Sequence, residues 1–133
     1  MNEKRKYERI PVEAHPDESG TGNTYIEAID TTNGKVVGYV EDLSAHGLRV
    51  IGPHPIEKGR SLTIELSLSE QVEGSDSIVL QARSAWTRKD SLSSMHRTGF
   101  RLESISDNDQ LLLTSLLRQI AERVRHAMAT KLR

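Results

Sequence analysis

The chain has 133 residues, of which 35% are hydrophobic and 28% charged, with no cysteine and a formal net charge of -1. That length fits one domain with a modest core, and the balance is that of a water-soluble globular protein rather than a disordered one. The lack of cysteine excludes a disulfide framework, thiolate metal sites and a Cys nucleophile, and no apolar run nears the roughly 18 residues of a membrane span.

The small net charge hides an uneven layout. Lys4, Arg5, Lys6 and Arg9 against Glu3 and Glu8 give residues 1–10 a net +2, and five cations against Glu122 give residues 118–133 a net +4, leaving -7 for the rest. A nucleic-acid binder presents a broad basic face with several exposed aromatics. One Trp, three Tyr and one Phe on an acidic middle do not fit that, so no DNA or RNA partner is expected. Any anion site should be small and local. The opening "MNEKRKYERI" lacks the apolar stretch of a signal peptide, so the expected setting is cytoplasmic, without membrane insertion.

In chain order, residues 1–23 read as a flexible, extended N-terminal arm, with Pro11, Pro16, Gly20 and Gly22 and no helical period. "TYIEAID", 24–30, reads as a strand, followed by an Asn33-Gly34 hairpin turn. "VVGYVEDLS" and "GLRVIG" are two strands around a tight corner. "SLTIELSLS", 61–69, alternates, with Leu62, Ile64, Leu66 and Leu68 on one face and Thr63 and Glu65 on the other. "QVEGSDS" reads as a loop, and 78–89 and 96–105 as the last two strands. At 106 the period changes. Ser106 with Asp107, Asn108 and Asp109 is a helix start, and Leu113, Leu116, Leu117, Ile120, Val124, Ala127 and Met128 then recur at 3- and 4-residue steps. Short antiparallel strands over 24–105 and one helix over 106–133 predict a mainly β fold, a small antiparallel barrel capped by a C-terminal helix.

Catalysis is not indicated. His15, His46, His54, His96 and His126 are scattered without metal spacing, and neither a nucleophile elbow nor a phosphate-binding glycine loop is present. No metal and no cofactor are expected. Two features remain. Arg5 and Arg9 form R-x-x-x-R, which alone is a common spacing and reads first as a solvated charge run. Asp42, Ser44 and Gly47 in "DLSAHGLRV" form D-x-S-x-x-G ahead of an apolar strand. Taken alone, this second stretch also reads as a turn in which Asp42 and Ser44 bond the backbone and Gly47 supplies a positive φ. Together the two suit a guanine nucleotide. Guanidinium groups grip phosphate or the O6/N7 edge of guanine. A carboxylate accepts the N–H donors of guanine's Watson–Crick edge, a hydroxyl adds a small partner, and a glycine lets a ligand approach the backbone.

The chain resembles the PilZ domain family, whose signature is R-x-x-x-R plus [D/N]-x-S-x-x-G. The resemblance continues through "SLTIELSLS", "ARSAWTRK", "HRTGFRL" and the final helix. It implies a six-stranded β-barrel acting as a bacterial receptor for the second messenger cyclic di-GMP, with output through a protein partner. Arg5 and Arg9 would clamp guanine and phosphate groups, Asp42 and Ser44 would bind a guanine edge, and Gly47 would give room. Trp86 matches a position where some members set an aromatic against a base; in phase with Ile78 and Leu80, it also reads as a core residue. Lys4 stands where many relatives have a second arginine that bears on ligand stoichiometry, and lysine lacks the planar, bidentate geometry. Glu8, inside the motif, is placed to pair with Arg5 or Lys4. The resemblance also leaves a PilZ-like interaction domain that binds no nucleotide as the alternative. The heptad-like stripe along the helix, whose first half is expected to pack on the barrel, points to a homodimer or a downstream partner at its basic end.

Overall fold

The structure, a computed structural model, describes residues 10–11 and 25–131, with α1 seen to Lys131. The elements are β1 (Ile10–Pro11), β2 (Ile26–Asp30), β3 (Lys35–Ser44), β4 (Gly47–Gly52), β5 (Ser61–Val72), β6 (Ser75–Lys89), β7 (His96–Ile105) and α1 (Asp107–Lys131). All strand pairings are antiparallel. The order β3-β2-β5-β6-β7-β4 closes on itself through β3–β4, which gives a closed six-stranded barrel with β1 added alongside β3. Closure removes the exposed edges that a flat antiparallel sheet would carry.

Alternation positions the core as the sequence predicts on β5, where Leu62, Ile64, Leu66 and Leu68 are all buried. They meet Ile26 and Ala28 of β2, Ile78, Leu80 and Ala82 of β6, and Phe100 of β7 in one cluster. The stretch 71–77 differs from its loop reading. β5 and β6 extend toward each other and turn over Glu73-Gly74 alone, both with positive φ (49° and 78°). This two-residue turn matches the right-handed twist of the flanking strands, and the polar residues around it sit on the solvent side of a long hairpin. At the first hairpin the loop spans Thr31 to Gly34. The Asp30 carboxylate accepts the Thr32 N–H at 2.9 Å, and Gly34 takes a left-handed φ of 71°.

Ser106 caps α1 as expected. Its hydroxyl accepts the Asp109 N–H at 3.1 Å and donates to the Asp109 carboxylate at 2.9 Å. Leu112, Leu113, Leu116 and Ile120 are buried against the barrel, each burial contributing on the order of 1.5–3 kcal/mol. Beyond Ile120 the stripe leaves the barrel, with Val124 and Met128 exposed. Ser106→Ala should therefore cost about 1 kcal/mol, read as a lower urea midpoint with an unchanged slope.

Candidate functional site

The second motif lies at the β3–β4 corner. Leu43 points into the core, and Asp42 and Ser44 flank it on the opposite, outer face of the barrel. A β-bulge decides this. The register shifts between Val40 and Asp42, so Glu41 and Asp42 together oppose Arg49 of β4. An uninterrupted period of two would have placed Asp42 inward with Val40. Instead both carboxylates reach one guanidinium. Arg49 Nε donates to Glu41 Oε1 at 3.0 Å, and Arg49 Nη2 lies 3.3 Å from Asp42 Oδ2.

Ser44 shapes the turn. Its hydroxyl accepts the His46 N–H at 3.1 Å and donates to the Gly47 carbonyl at 3.4 Å. Gly47 does not supply a positive φ; among the described residues the glycines that do are Gly34, Gly59 and Gly74. Its requirement is close approach. A Cβ there would lie 2.3 Å from the Phe100 carbonyl oxygen of β7.

Trp86 is not a core residue. A second bulge, between Ser84 and Trp86, breaks the phase with Ile78 and Leu80 and turns the indole outward, where 37% of the residue is exposed. It lies flat on the backbone of Gly99, whose missing Cβ would stand 2.3 Å from the indole Nε1. The Arg88 guanidinium stacks over the ring, 5.3 Å from its centroid.

Register joins these groups in one lateral row. Pro11 pairs with Asp42, Asp42 with Arg49, Arg49 with Gly99, and Gly99 with Trp86. At about 4.8 Å per strand, Asp42 and Trp86 stand roughly 14 Å apart on one face. Ser44 and Gly47 lie in the next outward row, opposite Arg101. On the other side Glu41 also accepts Arg97 Nε at 2.8 Å, and Arg97 Nη1 reaches Asp90. The Arg97 hydrogen bond, with a second from Ser93, holds the half-buried Asp90 carboxyl below the usual carboxylate range, and Glu41 and Asp90 push the Arg97 guanidinium up.

Lys4, Arg5, Glu8 and Arg9 lie outside the described residues, as does the arm apart from β1. β1 itself is informative. Ile10, next in the chain after Arg9, pairs with Leu43, and Pro11 pairs with Asp42. The two residues that follow the R-x-x-x-R motif are thus joined by backbone pairing to the D-x-S-x-x-G motif. Sequence reasoning missed Glu41, Arg49, Arg97 and Gly99, which reach the site only through register.

The family model described as "PilZ domain" matches residues 3–119. The chain belongs to the PilZ domain family. The fold agrees with solved PilZ structures. The PilZ domain with c-di-GMP of YcgR from Escherichia coli is similar at a TM-score of 0.69 and 17% identity, over 96% of this chain and 98% of that one. The K. pneumonia MrkH–c-di-GMP complex is similar at 0.73 and 15% identity, over 96% of this chain and 57% of that one. The Bacillus subtilis inhibitor of motility MotI/DgrA is similar at 0.60 and 18% identity, over 90% and 53%. This PilZ chain therefore spans little more than half the length of the latter two. Comparison of the sequence with curated proteins gives no match. Among the described residues no helix is long and apolar enough to cross a membrane.

Proposed function

We propose that this PilZ domain is a cyclic di-GMP receptor whose arm closes over the outer face of the barrel. One observation carries the reading. β1, the two residues that follow the arginine motif in the chain, pairs with Leu43 and Asp42 of the second motif. Asp42 accepts the N–H donors of a guanine edge, while Ser44 and Gly47 shape the rim beside it. Arg5 and Arg9 supply guanidinium groups for phosphate and guanine. Trp86, 37% exposed with the Arg88 guanidinium over its ring, stands at the far end of the row, where a base would stack by displacing Arg88 or by pairing with its plane. The similar YcgR and MrkH structures, solved with c-di-GMP, support the ligand class.

Binding would order the arm against the barrel and alter the surface shown to a partner. β1 also lies against α1, so a change in the arm is communicated to the helix. Along the projecting half of α1, exposed Val124 and Met128 run beside Arg125, with Arg123 paired to Glu70. That surface suits a protein partner bearing apolar and carboxylate side chains better than a second copy with the same cations.

Trp86 is the single tryptophan, so titration with cyclic di-GMP should change the intrinsic fluorescence along with the calorimetric heat. Calorimetry also counts ligands per chain and so tests whether Lys4 supports one ligand or a stacked pair. Absence of heat at millimolar ligand would overturn the receptor reading in favour of a PilZ interaction domain that binds no nucleotide.

A further inference from the structure

We infer that Arg101 of β7 is a ligand-binding residue outside both motifs, a guanidinium that the barrel itself supplies to the phosphodiester of the bound dinucleotide. Its ligand is that of the receptor reading, on which this assignment rests; the residue is singled out by charge and register.

Outward arginines crowd the face formed by β4, β6 and β7. Arg49, Arg83 and Arg97 are each paired with a carboxylate, and Arg88 lies over the Trp86 ring. Arg101 is the exception on this face. It is exposed and has no ion pair or side-chain hydrogen bond among the described residues.

Register makes that state costly. Arg101 stands directly opposite Arg83 of β6, and like charges at opposed positions of an antiparallel pair destabilise it. Glu103, two residues along the same strand, does not relieve Arg101. One of its oxygens accepts Arg83 Nε at 2.9 Å and the other accepts the Ser61 hydroxyl at 2.9 Å. Arg83 is held further by donating from Nη1 to the Gly59 carbonyl at 3.1 Å. A cation left unpaired beside another cation is the kind of local conflict that proteins keep at functional sites.

On its other side Arg101 pairs with Gly47, and Gly47 pairs with Ser44. Gly47 has no side chain to cover the guanidinium, and a Cβ there would stand 3.5 Å from the Arg101 Cα. Two strand spacings put Ser44 and Arg101 roughly 10 Å apart. Trp86 lies beyond, on β6, opposite Gly99 and so two residues along β7 from Arg101. A cyclic dinucleotide with one base at the Ser44 rim and the other at Trp86 carries its phosphodiester links between the bases, over Arg101. The guanidinium can meet a phosphate there with two parallel N–H donors.

The test is calorimetry with cyclic di-GMP on the full chain and on its Arg101→Gln and Arg101→Lys variants, beside thermal melts without ligand. Arg101→Gln should weaken binding about tenfold at low salt, as a charge-assisted contact is lost, and the deficit should shrink as salt screens the wild-type attraction. Arg101→Lys keeps the charge and should lose about threefold or less. Unchanged affinity in Arg101→Gln, or a deficit that lysine does not reduce, would overturn the inference while the receptor reading stands. Wild-type protein that gives no heat would overturn the receptor reading and, with it, the ligand assigned to Arg101. The melts need no nucleotide. Arg101→Gln removes the charge opposite Arg83 and should melt about 1 °C higher at low salt. A melt several degrees lower would make Arg101 a structural residue and overturn the inference whether or not the wild type binds.

Discussion

Asp42→Ala is expected to lower cyclic di-GMP affinity by about 100-fold or more while the barrel stays folded. A carboxylate facing guanine accepts two N–H bonds, each charge-assisted and worth on the order of 1.5–3 kcal/mol; their joint loss exceeds the roughly 2.7 kcal/mol that a hundredfold change represents. The Asp42–Arg49 pair contributes far less to the folded state. The Asp42–Arg49 contact is long at 3.3 Å and Arg49 is 35% exposed, a pair worth about 1 kcal/mol or less. Arg49 keeps its bond to Glu41. Arg9→Ala should give a comparable loss by removing one of the two guanidinium groups of the R-x-x-x-R motif. Calorimetry with either variant, beside a thermal melt, checks both halves of the expectation. Undiminished affinity in Asp42→Ala would remove the carboxylate from the site.

The second large effect concerns the fold. Gly38 and Gly52 stand where β3 and β4 approach backbone to backbone. A Cβ on Gly52 would lie 2.0 Å from the Val37 carbonyl oxygen, and one on Gly38 would lie 2.2 Å from that of Ile51. Neither obstacle is a side-chain tip that can swing aside, so relief requires parting two hydrogen-bonded strands. Gly52→Ala should destabilise by about 3 kcal/mol, at the upper end of ordinary overpacking. A domain of this size then melts on the order of 10 °C lower. The contrast is Gly34→Ala, where no atom stands within 4 Å of the added Cβ; there the cost comes from the left-handed φ of 71° alone, about 1 kcal/mol. A melt in which Gly52→Ala and Gly34→Ala shift equally would show that the strands yield.

Much of the architecture was legible because its signals are local. The two-residue period of "SLTIELSLS" and the change to a 3.6-residue period after Ser106 each encode which face must be buried. Ser106 capped the helix where its hydroxyl could meet an N–H three residues on. The R-x-x-x-R and D-x-S-x-x-G patterns were equally visible, since each is a matter of spacing. The reading of 71–77 as a loop was wrong because polarity alone does not distinguish a loop from the solvent face of a long hairpin. Gly47 was read through positive φ or ligand access, yet it is required by a carbonyl from a strand more than fifty residues away. No local pattern carries that information.

By itself the sequence determined the strands, the capped helix, the closed mainly-β class and the membership of two motifs in one family. Which faces those motifs present was decided only by the tertiary structure. Both Asp42 and Trp86 continue an inward-facing alternation, from Val40 and from Ile78 and Leu80, and one inserted residue in each strand turns them outward. Because the side-chain period is two, a single extra residue exchanges the faces of everything that follows it. The inserted residue is chosen by barrel closure rather than by its own chemistry. The row from Pro11 through Asp42, Arg49 and Gly99 to Trp86 is therefore a property of register, assembled from four strands and the end of the arm, and it exists only when the barrel is closed.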